Sequence, residues 1–256
     1  MVTKSRLIEK LKQHRKRILD FVPGGRRIRK ASSYVEDQRR IRAIGLEGVF
    51  TRIYEQNLWS SEESVSGPGS TIESTQSIRN EIPRIIDRFG VKRILDAPCG
   101  DYNWFRFIER DKDIHYEGGD IVEALVINNQ EKYGNEYTRF KLLDIRNDEL
   151  PEADLWLCRD CLQHLSNSDV FKVIRNLLNS DIRYFLASTY TLCKMNKTIL
   201  TGRCRALNLE LPPFKFCKPI LYVDDWIEGW PVRHLALWEK RQLSESLTSN
   251  KALRRI

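Results

Sequence analysis

Ile94-Leu95-Asp96-Ala97-Pro98-Cys99-Gly100-Asp101 is the stretch on which the fold turns. A short apolar run ends in a carboxylate, and small residues then let the backbone turn sharply and approach a ligand closely. The pattern predicts a strand at Arg93–Asp96 and a helix over Asn103–Arg110. It recurs downstream, with strands expected at His115–Asp120, Arg139–Leu143, Asp154–Cys158 and Arg183–Ser188, and helices at Val122–Tyr133 and Asp169–Asn179. Strand, helix and strand at this spacing imply βαβ units: an α/β fold with a doubly wound, Rossmann-like, mostly parallel sheet. Two further strand-like runs, Ile220–Val223 and Arg233–Lys240, flank Asp224-Asp225-Trp226-Ile227-Glu228-Gly229-Trp230-Pro231 and suit an antiparallel C-terminal pair.

Upstream of the first strand, Trp59 to Ser70 is too rich in Ser and Gly for a regular element. Ser70 followed by Glu73 reads as a capping box. It opens a helix with an apolar stripe of Ile72, Ile78, Ile82, Ile85, Ile86 and Phe89, which Pro83 is expected to kink or restart. Residues 1–50 read as a basic helical extension broken at Pro23-Gly24-Gly25, and residues 51–256 as the α/β domain.

Composition limits the function. The chain has 256 residues, 41% hydrophobic and 30% charged, which suits one large α/β domain with an appendage and excludes collagen-like and wholly disordered classes. No apolar run approaches the ~18 residues of a membrane span, and the basic N-terminus lacks the apolar block of a secretory signal. Six cysteines in a chain too long to need staples read as reduced thiols of a cytoplasmic protein. Cys158-x-x-Cys161 has no second close pair, so no metal site is expected.

The net charge of +8 is concentrated, since eleven Lys and Arg stand against Glu9 and Asp20 up to Lys30. The body is therefore near neutral, which argues against a nucleic-acid substrate. The arm itself suits peripheral contact with an anionic surface, or a solvated helix packing through Leu7, Leu11, Ile18 and Phe21.

In open parallel sheets, ligands bind beyond the carboxyl ends of the strands, where strand order reverses. The residues there are Asp96 to Asp101, Gly118-Gly119-Asp120, Leu143-Asp144-Ile145 and Cys158-Arg159-Asp160-Cys161-Leu162-Gln163-His164. This succession, over roughly residues 60–240, resembles the class I S-adenosylmethionine-dependent methyltransferases. Asp96-Ala-Pro-Cys-Gly100-Asp is similar to their first motif, with Pro98 and Tyr102 at two of its three glycine positions. A nicotinamide dehydrogenase would want Gly-x-Gly-x-x-Gly at this turn, which Pro98 and Tyr102 do not supply.

The resemblance implies S-adenosyl-L-methionine as cofactor. Asp96 and Gly100 would line its methionine and ribose end, Asp120 would hold the ribose hydroxyls, and Asp144 with Ile145 the adenine. Ala97, Trp104, Ile121 and Arg159 are counted among the donor contacts, and the segment from Arg159 to His164 faces both methionine and acceptor. Transfer from a sulfonium needs mainly alignment, but an alcohol acceptor must also lose a proton. His164 is the candidate base and Asp160 its orienting partner, or the base itself.

For the acceptor, Trp59, Glu63, Ser64 and Gly67 of the polar loop are expected to form a lid. Arg203 and Arg205, with Arg159, would suit an anionic group. Leu211-Pro-Pro-Phe214 is read as a decoy of the motif found in amino-methylating nucleic-acid enzymes, because Leu replaces Asn or Asp. The expected activity is O-methylation of a small molecule or glycan. RNA or protein methylation aided by the basic arm, and a non-catalytic donor-binding module, are the alternatives.

Overall fold

The computed structural model describes residues 43–226 and 229–247. The chain divides into two compact units, Met1–Gly45 and Leu46–Ile256. The basic arm lies outside the described residues, as does most of the expected extension. The second unit opens with helical backbone over 46–55.

Its centre is a seven-stranded sheet of β1 (Arg93–Asp96), β2 (His115–Asp120), β3 (Thr138–Leu142), β4 (Leu155–Cys158), β5 (Tyr184–Thr189), β6 (Leu221–Asp224) and β7 (His234–Glu239). The strand order is β3-β2-β1-β4-β5-β7-β6. The first five strands are parallel, whereas β7 runs antiparallel to both β5 and β6. Order reverses between β1 and β4, so a crevice opens above their carboxyl ends.

The helices are α1 (Gln76–Phe89), α2 (Glu123–Tyr133), α3 (Asn167–Asn179) and α4 (Lys240–Leu247). Alternation along each central strand builds a core on both faces. On β4, Leu155 and Leu157 join Ile78, Ile82, Ile85 and Tyr116 on one face, whereas Trp156 and Cys158 join Ile174, Leu177 and Trp238 on the other. Trp156, fully buried, donates its indole N–H to the Ala97 carbonyl at 2.9 Å, tying the floor of β4 to the loop after β1. Phe214 of the Leu-Pro-Pro-Phe run is likewise buried in this core, packed on Phe171.

Every expected strand is present within one residue, but two local expectations fail. The Asn103–Arg110 helix is only a 3-10 turn at Phe105–Phe107. Tyr102 adopts a left-handed φ of 57°, and the Asn103 amide is committed to Glu63 and to the Ser70 carbonyl. These anchors break helical periodicity before it starts. The capping box at Ser70 and Glu73 does not form, because α1 starts later, after Thr75. The hydroxyl of Thr75 instead bonds back to the Thr71 carbonyl, competing with a helical cap. Pro83 lies inside a helix that runs on continuously from Gln76 to Phe89.

Candidate functional site

Above the β1–β4 switch lies a cavity of about 660 Å³, large enough for a nucleoside-sized ligand and a second small molecule. Its walls come from the strand ends, the 59–70 segment, residues 202–206 and the β6–β7 connection.

Asp96 closes β1 and is buried, and its Oδ2 accepts the Tyr116 hydroxyl at 2.8 Å. Burial raises its carboxyl to about 7, against the opposing pull of Tyr116 and Arg159. Asp120 closes β2. Burial raises it to about 6, although it accepts the Val122 and Gly100 N–H groups, each at 3.0 Å. Gly100 itself has φ 55°, and a Cβ there would stand 2.1 Å from Ser66 Oγ, so only glycine fits.

Asp144 and Ile145 line the cavity too. The Asp144 carboxylate is held low in spite of burial by Arg146, whose guanidinium grips both its oxygens at 2.9 and 2.6 Å. Asp144 thus already fixes its own loop. Trp104 and Ile121 are also cavity residues, but Ala97 is not: it is fully buried behind the wall.

The segment after β4 holds a chain of buried charges. Arg159 donates to both oxygens of Asp225, at 2.8 to 3.2 Å, and to the Gly69 carbonyl at 2.6 Å. It also lies over the Trp104 ring at 5.2 Å. Asp225 pairs with Arg233 at 3.0 Å, and Arg233 pairs with Asp160 at 2.6 Å. Burial would raise Asp160, yet Arg233 and Arg159 hold it down at about 2. Asp160 itself sits at a left-handed φ of 52°.

His164, in the 3-10 turn Leu162–His164, faces the cavity and stacks at 5.5 Å on Trp59. Its Nδ1 lies 3.1 Å from the Arg203 carbonyl, which can only accept, so Nδ1 carries the proton and Nε2 keeps a lone pair. Burial lowers its pKa, outweighing the opposing pull of Asp160. The imidazole is therefore oriented by a backbone carbonyl, and Asp160 is bound to Arg233 and Gln163 instead. Residues 160 to 164 do not form the helical turn that would have stacked the two side chains.

The 59–70 segment is a fixed wall. Asp101 gathers it by accepting the hydroxyls of Ser64 and Ser66 and the Val65 N–H, all at 3.0 Å. Trp59 and Gly67 reach the cavity, but Glu63 and Ser64 do not. Glu63 accepts from Ile72 N and Asn103 Nδ2 at 2.7 Å each, so both residues pin the segment rather than meet a ligand.

Of the expected anion readers, the cavity wall holds Arg159 and Arg205. Arg203 contributes its carbonyl to His164 and its side chain is not on the cavity wall. Arg205 is in the wall, with its guanidinium bonded to the Gln163 and Leu165 carbonyls and to Asn167. Burial brings it down to about 10. Cys158 and Cys161 are buried, and among the described residues no three His, Cys, Asp or Glu side chains are grouped as metal ligands.

Sequence reasoning missed Asp225, Arg233, Tyr190, Trp226 and Trp230, which all line the cavity. A signal existed for the tryptophans, since two of them in a short polar connection with Gly and Pro are out of place in a plain hairpin.

No family model matches the chain, and no curated protein matches it. Solved structures do. Human N-acetylserotonin methyltransferase in complex with S-adenosylmethionine superposes with a TM-score of 0.54 at 12% identity, over 75% of this chain and 58% of that one. The N-methyltransferase NodS of Bradyrhizobium japonicum gives 0.50 at 12% identity, over 65% of this chain and 96% of that one. The chain has the fold of the class I S-adenosylmethionine-dependent methyltransferases.

Proposed function

We propose that this protein is an S-adenosylmethionine-dependent methyltransferase that methylates a hydroxyl of a small molecule or glycan. The observation that carries the reading is Asp120 at the switch-point crevice, bonded to the N–H of a Gly100 that no side chain could replace. A carboxylate here suits a ribose diol. Of the carboxylates in the wall, Asp144, Asp160 and Asp225 are paired with Arg146, Arg233 and Arg159, which leaves Asp96 and Asp120 beside the crevice without an ion-pair partner among the described residues. The Ile145 N–H has no partner among the described residues and stands at the cavity wall, a donor suited to a base edge.

Bound there, the donor supplies a methyl already activated on a sulfonium. The chain's own residues hold the acceptor in line and exclude water. His164 Nε2 takes the hydroxyl proton, and the Arg203 carbonyl holds the imidazole in the tautomer that can do so. Asp160, ionised and ion-paired, is too weak a base for that task.

Among the described residues no helix is long and apolar enough to cross a membrane. The free cysteines support a cytoplasmic location. The test is product formation: incubation with S-adenosylmethionine and a panel of hydroxyl acceptors should release S-adenosylhomocysteine in proportion to methylated product. Methylation confined to amines in the same panel would overturn the oxygen assignment.

A further inference from the structure

Beyond the donor residues, the cavity mouth combines three features. Trp226 and Trp230 line it while 44% and 59% exposed, large apolar faces that nothing in the described chain covers. The side chain of Asp160 is 24% exposed and lies in the same wall. Its Oδ1 accepts from Arg233 and Gln163, but Oδ2 receives no hydrogen bond among the described residues. Finally, the Arg159 and Arg233 guanidiniums are neutralised by Asp225 and Asp160.

A half-buried carboxylate oxygen without a donor calls for a ligand O–H or N–H. Flat aromatic faces take the apolar face of a ring whose edges carry polar groups.

Resting on the methyltransferase reading above, we infer that the acceptor is a hydroxyl-bearing ring, a sugar unit, seated against Trp226 and Trp230 with a hydroxyl donated to Asp160 Oδ2. Trp226 and Trp230 are then specificity residues, outside the donor pocket and outside the proton transfer.

The experiment compares methyl glycosides with monohydroxylated cyclic alcohols of similar size, at saturating S-adenosylmethionine. The glycosides should exceed the monohydroxylated alcohols by about tenfold or more in kcat/KM, as expected when a hydrogen bond to a carboxylate is lost. Trp230→Ala and Trp226→Ala should each raise the acceptor KM by about tenfold, while Trp→Phe at either position retains most of the affinity. Donor Kd should stay within about twofold in all four variants, which also reports that they are folded.

Equal or greater activity on the monohydroxylated alcohols, an unchanged KM in the alanine variants, or donor turnover on other hydroxyl compounds with none on sugars would each overturn the sugar assignment and leave the methyltransferase reading standing. Failure of the wild-type protein to bind the donor would overturn that reading itself.

Discussion

His164→Ala should lower turnover by ~10²–10⁴-fold while donor affinity stays within about twofold, because a positioned base contributes on that scale and His164 is assigned no donor contact. Single-turnover rates and calorimetric titration of the same preparation read the two effects separately. The pH profile of the wild type follows from burial. The neutral imidazole is the active form, so the rate should rise with pH through a pKa below the ordinary 6.5 and stay flat above it. In His164→Ala that limb should vanish. Near-normal turnover with a flat profile would mean that alignment alone carries the reaction and that the acceptor arrives already ionised.

Asp120→Ala should weaken donor binding by about 1.5–3 kcal/mol, since it removes charge-assisted bonds to the ribose and the acceptor of the Gly100 N–H. The effect should depend on pH in the wild type. Asp120 titrates near 6 in the free protein, so at pH 5 only about a tenth is ionised, and donor affinity should fall roughly tenfold between pH 7 and pH 5. Asp120→Asn should flatten that dependence. The same raised pKa bears on stability with the opposite sense. A carboxyl moved up from 3.8 favours the fold when protonated, so the contribution of Asp120 is complete below pH 4 and is lost as pH climbs through 6. Asp96, raised to about 7, extends that loss to neutral pH. Urea titrations from pH 4 to 8, with and without Asp120→Asn, measure its share.

The sheet was legible because strand ends carry local marks: an apolar run, a carboxylate, then small residues. Asp96, Asp120 and Asp144 all fall at or just beyond the ends of β1, β2 and β3, and His164 falls in the crevice. What escaped depends on contacts between distant parts of the chain. Arg159 reads as an anion binder until Asp225, 66 residues later, is seen to hold it from both oxygens. Glu63 and Ser64 read as lid residues until Asn103 and Asp101 claim them across about forty residues. The Asn103–Arg110 helix failed for the same reason. Its apolar spacing was adequate, but Asn103 had a stronger long-range commitment. Periodicity reports what one element can do alone, and each of these residues is spent on joining two.

The central claim is that the crevice above β1 and β4 binds S-adenosylmethionine. Isothermal titration of the wild-type protein with S-adenosylmethionine, S-adenosylhomocysteine and a nicotinamide dinucleotide measures this directly. The account predicts micromolar binding of the first two at one site per chain, with no heat from the third. Absence of binding by either sulfur nucleoside, together with saturable binding of the nicotinamide dinucleotide, would contradict it.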